Sequence, residues 1–137
     1  DMSIFFRNLG KFNPAKAGEG TEIVKDAFYL PEELDEVIQK KWDKWFAAYA
    51  KRLKLETLSS DERKIKMDQI NPKYVLRNYM AQLAIDAADK GDYSIIEELF
   101  ELLKDPYSEQ LDHEKWFVKR PEWARHKVGC SMLSCSS

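Results

Sequence analysis

The segment Asn71–Gly91, NPKYVLRNYMAQLAIDAADKG, restricts the fold more than any other. Asn71 has the side chain of a helix N-cap, able to accept from an orphan backbone N–H. Pro72 then falls at the first helical position, where its missing N–H costs nothing. Ile70 and Val75 are spaced as a hydrophobic staple across that start. Val75, Leu76, Tyr79, Met80, Leu83, Ala84 and Ala87 recur at helical spacing and make one wide apolar face. Gly91 supplies the left-handed residue that ends a helix. The pattern predicts one central helix over 71–91 and an all-α fold built as an irregular helical bundle or array.

The rest of the chain fits that class. Its 137 residues suffice for one domain with a buried core, and the reading is a single helical domain over 1–137. A net charge of −2 gives no basic face of the kind nucleic acid demands. No apolar run approaches the length needed to span a bilayer, so neither nucleic acid nor membrane is an expected partner. The opening DMSIFFRNLG lacks the layout of a signal peptide, and its start on helix-like sequence suggests a cut inside a longer protein. The only cysteines, Cys130 and Cys135, sit in the last eight residues. That is no disulfide framework, and it fits a reducing compartment such as the cytoplasm.

In chain order, Ser3–Phe12 reads as a short helix and Asn13–Gly20 as a loop. Thr21–Leu30 has room for a turn or two of helix. A long helix is expected over Pro31–Leu55, with Leu34, Ile38, Trp42, Trp45, Phe46, Tyr49 and Leu53 on one face. Lys40, Lys41, Lys44, Lys51 and Arg52 fall on its other side and read as a solvated face. The tryptophans are more simply core aromatics than a stacking platform. Ser59 and Glu62 have capping-box spacing and open a short polar helix to Ile70; Ser94 and Glu97 have the same spacing before a helix ended by Pro106. The short connection through Gly91–Tyr93 implies that the helices on either side pack as a hairpin. From Tyr107 onward the periodicity fades, but Trp116, Phe117, Trp123 and Val128 are too apolar for a free linker. The expectation is an extended tail over 107–137 lying along the helices, with a helical turn at Pro121–Arg125 and mobile final residues.

A search for catalytic groups is negative. Gly18 and Gly20 fit neither a phosphate loop nor a dinucleotide fingerprint, and no nucleophile elbow, zinc-protease motif or kinase signature is present. No catalytic, cofactor-binding or metal-binding residue is therefore assigned. A zinc site from His126, Cys130, Cys135 and His113 matches no compact module. A redox role for the thiols is better placed, since Arg125, His126 and Lys127 stand near enough in sequence to favour thiolate if the tail folds back.

Within this frame, INPKYVLRNYMAQLAIDAADKGDYS closely resembles the C-terminal signature of the selenoprotein O family, called YdiU in bacteria. DAFYLPEELDEVIQKKWDKWFAAYAKRL upstream, then EELFELLKDPYSEQ, the PEWA turn and the terminal SCSS, continue the resemblance in order. It implies a kinase-like protein, long classed with the pseudokinases, that binds ATP with magnesium and transfers AMP to protein hydroxyls. The nucleotide and metal ligands would belong to a kinase-like region upstream, which is then this segment's partner, along with the protein substrates of the full-length enzyme. No cofactor is expected in this segment alone. Cys135 occupies the position where some members carry selenocysteine, which makes it the redox residue; Cys130 has no family role that can be assigned, though it remains a second redox candidate. Bacterial members would be cytoplasmic and eukaryotic ones mitochondrial. The resulting expectation is a non-catalytic C-terminal helical portion of an adenylyltransferase with a redox-sensitive tail. Two rivals stand beside it: a free helical interaction module, and a small thiol oxidoreductase using Cys130 and Cys135.

Overall fold

The computed structural model describes residues 1–30, 32 and 34–130, and these are helices, helical turns and connections with no strand among them. They form two compact units, Asp1–Pro72 and Lys73 onward.

In the first unit, α1 spans Met2–Leu9, capped by the Asp1 carboxylate, which accepts from the Ile4 N–H at 3.1 Å. The expected loop at Asn13–Gly20 is instead largely a 3-10 turn over Pro14–Glu19, opened by an Asn13 side chain that accepts from Ala15 N–H. It leads into α2, Gly20–Val24, and a second 3-10 turn at Lys25–Ala27. Gly20 is required for packing, because a Cβ there would run into the Phe46 ring. α3 spans Glu36–Leu53 and starts later than proline placement suggested: Asp35 caps it, accepting from Ile38 N–H at 2.8 Å. The expected start at Pro31, and Glu33 with it, lie outside the described residues. The core gathers Leu9, Phe12, Val24, Phe46, Ala50 and Leu53. Trp42 is half-buried, whereas Trp45 remains 42% exposed, stacked on Tyr49 at 5.1 Å and edge-on to Phe46 at 4.9 Å. The α3 lysines and Arg52 are exposed, the solvated face that the sequence predicted.

α4, Ser60–Ile70, begins with the predicted capping box: Ser59 Oγ accepts from Glu62 N–H at 3.2 Å while the Glu62 carboxylate accepts from Ser59 N–H at 2.9 Å. This helix has hardly any apolar face, and Ile65 is exposed. Buried arginines attach it instead. Arg7 donates to the carbonyls of Asp68 (3.1 Å) and Asn71 (3.3 Å) and lies 3.4 Å from the Asp68 carboxylate; Arg63 of α4 donates to the carbonyl of Phe12. Buried carbonyls must find donors, and guanidinium groups supply several each.

In the second unit, α5 spans Asn78–Ala88 and α6 spans Ser94–Lys104. The central helix thus starts seven residues later than the predicted 71–91 span and is only 11 residues long. Asn71 closes α4 rather than opening α5: its backbone N–H and its carboxamide both donate to Met67 O, at 2.9 and 2.7 Å. Val75 lies before the start of α5 and Ile70 is exposed, so the expected staple does not form. Residues 72–77 stay extended because Lys73 and Tyr74 N–H both donate to Pro106 O, at 2.8 and 3.1 Å, and the Tyr74 hydroxyl donates to the carbonyls of Glu109 and Gln110. These long-range bonds outweigh the local cap. Gly91, at φ +82, ends α5 as predicted, with Asp92 N–H reaching Ala87 O at 3.1 Å. The second predicted capping box is absent; Asp92, two residues before Ser94, accepts from Ser94 N–H at 3.0 Å instead. α5 and α6 pack together, as their short connection implies.

Candidate functional site

The residues after α6 build their own attachments. A 3-10 turn at Leu111–Trp116 and another at Glu122–Arg125 bring Trp116, Ala124 and Cys130 into one core with Tyr74, Met80, Leu99 and Leu102. Two ionic clusters hold the chain there. In the first, the buried Lys73 ammonium pairs with Glu109 at 2.8 Å and with Glu114, and donates to the Glu109 carbonyl at 2.9 Å. Burial alone would lower its pKa, but the hydrogen bonds it donates to both carboxylates, with their charge, more than offset this and leave it raised. In the second, Glu98 of α6 accepts from the Trp116 indole N–H at 2.9 Å, pairs with Lys115 at 2.7 Å, and lies 3.2 Å from His113 Nδ1. Desolvation pushes the Glu98 carboxyl up; those three partners together push it further down, and the net shift is downward.

Cys130, the secondary redox candidate, is fully buried. It follows Gly129, whose φ of +88 turns the backbone and whose missing Cβ leaves room for the Gln82 side chain. Its N–H donates to Lys127 O at 3.1 Å, and its carbonyl is 3.5 Å from Asn78 Nδ2. The sequence placed both thiols outside the core, so the burial of Cys130 is a correction. Its cause is the docking of the preceding tail through Trp116 and Ala124. The cations expected to serve a thiolate are engaged elsewhere: Lys127 with Asp86, and Arg125 with Glu122 at 3.4 Å. His113 belongs to the Glu98 cluster and His126 is exposed. Among the described residues no cluster of His, Cys, Asp and Glu suited to a metal ion occurs. Cys135, the primary redox candidate, lies outside the described residues.

A groove of volume 310 Å³ lies along α5 and α6. Ala81 and Ala84 line it together with the larger Leu76, Ile85, Ile96 and Phe100. Those four large side chains are exposed by 45–62%. Sequence analysis did not single out this groove, although a signal existed. α6 carries Ile95, Ile96, Leu99, Phe100, Leu102 and Leu103, more apolar residues than one helical face can turn inward. Likewise missed was Lys73, to which the helical reading gave no role.

Among the described residues no helix is long and apolar enough to cross a membrane. Comparison with known proteins gives a consistent picture. Residues 1–104 match the family model described as protein adenylyltransferase SelO. The chain is 58% identical to the protein nucleotidyltransferase YdiU of Flavobacterium johnsoniae over 138 residues, which is all of this chain and 26% of that protein. It is 44% identical to the YdiU of Aromatoleum aromaticum and 46% identical to that of Tolumonas auensis, again over its whole length and 26% of theirs. The chain thus spans about a quarter of the length of the curated relatives it matches.

Proposed function

This chain belongs to the SelO family, and on that premise we propose that it is the C-terminal helical part of a protein adenylyltransferase. In that reaction a Ser, Thr or Tyr hydroxyl oxygen of a target protein attacks the α-phosphorus of magnesium-bound ATP. The bond from that phosphorus to the bridging oxygen breaks, pyrophosphate leaves, and the hydroxyl proton passes to a base. What supports this reading is the match over residues 1–104 together with alignment of the whole of this chain to a quarter of the length of relatives described as protein nucleotidyltransferases. The sequence offers no phosphate loop, activating lysine or magnesium ligand set of its own, so ATP and magnesium are held by an upstream kinase-like region and this chain alone is non-catalytic. Its role is structural within the larger enzyme, which works in the cytoplasm of its bacterial host.

Cys135 is the redox residue of the assembly. Oxidation joins it to a cysteine of the kinase-like region, each thiol yielding one hydrogen to a two-electron oxidant such as peroxide. The burial of Cys130 favours Cys135 over it as the reactive thiol, since a packed cysteine is inert. Non-reducing peptide mapping of the oxidised full-length protein tests this, and Cys135→Ser removes the cross-link. Recovery of Cys135 paired only with Cys130, or never paired, contradicts it. Transfer of labelled AMP by the full-length protein, and none by the 137-residue chain, tests the main assignment.

A further inference from the structure

We propose that the groove between α5 and α6 seats an amphipathic helix from the part of the polypeptide that family members possess beyond this segment. The inference rests on the reading that the chain works within a longer transferase. Its starting observation is geometric: one concavity is lined by the small Ala81 and Ala84 together with the large, exposed Leu76, Ile85, Ile96 and Phe100. Grooves of this apolar kind accept the bulky side chains that a neighbouring amphipathic helix projects at successive turns. The chemistry argues against a small molecule. Ligand sites combine apolar walls with a few polar groups that fix orientation, and every residue lining this groove is apolar.

The exposure of the large lining side chains shows that the described residues leave the groove unfilled. Phe100 is 62% exposed, Leu76 53%, Ile85 52% and Ile96 45%, all around one concavity and not scattered. A clustered apolar patch of this kind marks a contact surface. The occupant follows from length. The relatives are about four times as long as this chain, so roughly three quarters of each of them lies outside the region described here. A helix tethered in the same polypeptide meets the groove at an effective concentration that a separate partner seldom reaches. All eight lining residues also fall within the span that the family model matches.

Site-specific alkylation of the full-length protein tests the assignment. Ile96→Cys and Phe100→Cys place thiols in the groove; Glu101→Cys places one elsewhere on α6, where the exposed Glu101 pairs with Lys104. In the 137-residue chain the three thiols should react with a maleimide at similar rates, because all three sites are open. In the full-length protein the groove thiols should react at least tenfold more slowly than Cys at 101. A benzophenone-maleimide on the groove thiols should then cross-link to a peptide outside these 137 residues. Equal rates in the full-length protein overturn the proposal, as do cross-links found only to a second copy or protection that vanishes on dilution. Because all the positions are exposed, the variants should fold, and the Glu101→Cys rate checks this. An AMP-transfer assay on the same full-length preparation separates the two readings: loss of transfer with groove protection intact would sink the functional assignment and leave this one standing.

Discussion

The buried Lys73 ammonium stands 2.8 Å from the Glu109 carboxylate and 5.2 Å from the centre of the Phe117 ring. One side chain thus ties the extended segment before α5 to the chain that follows α6. Replacing it by Met keeps most of the volume and removes the charge. Lys73→Met should cost about 1.5–3 kcal/mol, the range for hydrogen bonds to charged groups, since the half-exposed Glu109 and Glu114 can return to water. The pH dependence has a definite sign. A lysine whose folded pKa is raised stabilises the fold fully below its unfolded value of about 10.4, and that contribution is lost as pH rises through the folded value. Denaturant titrations should show the gap between wild type and Lys73→Met constant at neutral pH and narrowing only above about pH 10.4.

Glu98 makes the opposite pH prediction. Its folded pKa is lowered, so its contribution is present above the unfolded value of about 4.3 and is lost as pH falls through the folded value. Glu98→Gln should destabilise the chain by about 1.5 kcal/mol near neutrality, through weaker bonds to Trp116, Lys115 and His113. In acid the two proteins should converge. A gap that widens on acidification would show that the cluster does not hold the carboxylate ionised.

The α5–α6 core offers a graded test of packing. Leu102 is wholly buried, and Leu102→Ala should cost about 2–5 kcal/mol. Leu83 is only partly buried against the same core, so Leu83→Ala should cost clearly less. Equal losses would mean that the face of α5 carrying Leu83 is more deeply covered than its exposure indicates.

Gly129 controls access to Cys130. At φ +88 any other residue is strained, by about 1–2 kcal/mol for Ala, and its Cβ would strike the Gln82 side chain. Gly129→Ala should loosen the docked tail and speed alkylation of Cys130 several-fold under native conditions. In the wild-type chain Cys130 should resist iodoacetamide until denaturant is added. Rapid native labelling of Cys130 would contradict its burial.

The helical class, the hairpin of α5 and α6, and the Ser59–Glu62 box were legible because each depends on neighbours in sequence. The start of α5 was not. Asn71-Pro72 carries every local sign of a helix N-terminus, yet the Pro106 carbonyl and the acids at Glu109 and Glu114 draw Lys73 and Tyr74 into an extended path. Tertiary bonds from more than thirty residues away leave no trace in a local pattern. α4 is similar: its attachment through Arg7 and Arg63 uses charges that look like surface in the sequence. Cys130 looked like tail because periodicity had ended, whereas single anchors, Trp116 and Ala124, carry the chain into the core. The groove was visible only as a surplus of apolar residues on α6.

AMP transfer bears most directly on the central assignment. The full-length protein and the 137-residue chain, each given labelled ATP, magnesium and a mixture of protein substrates, should differ completely. The account predicts label on protein hydroxyls, with release of pyrophosphate, from the full-length protein alone, and no measurable binding of ATP–magnesium by the shorter chain in calorimetric titration. Transfer by the 137-residue chain at a rate comparable with the full-length protein would contradict it.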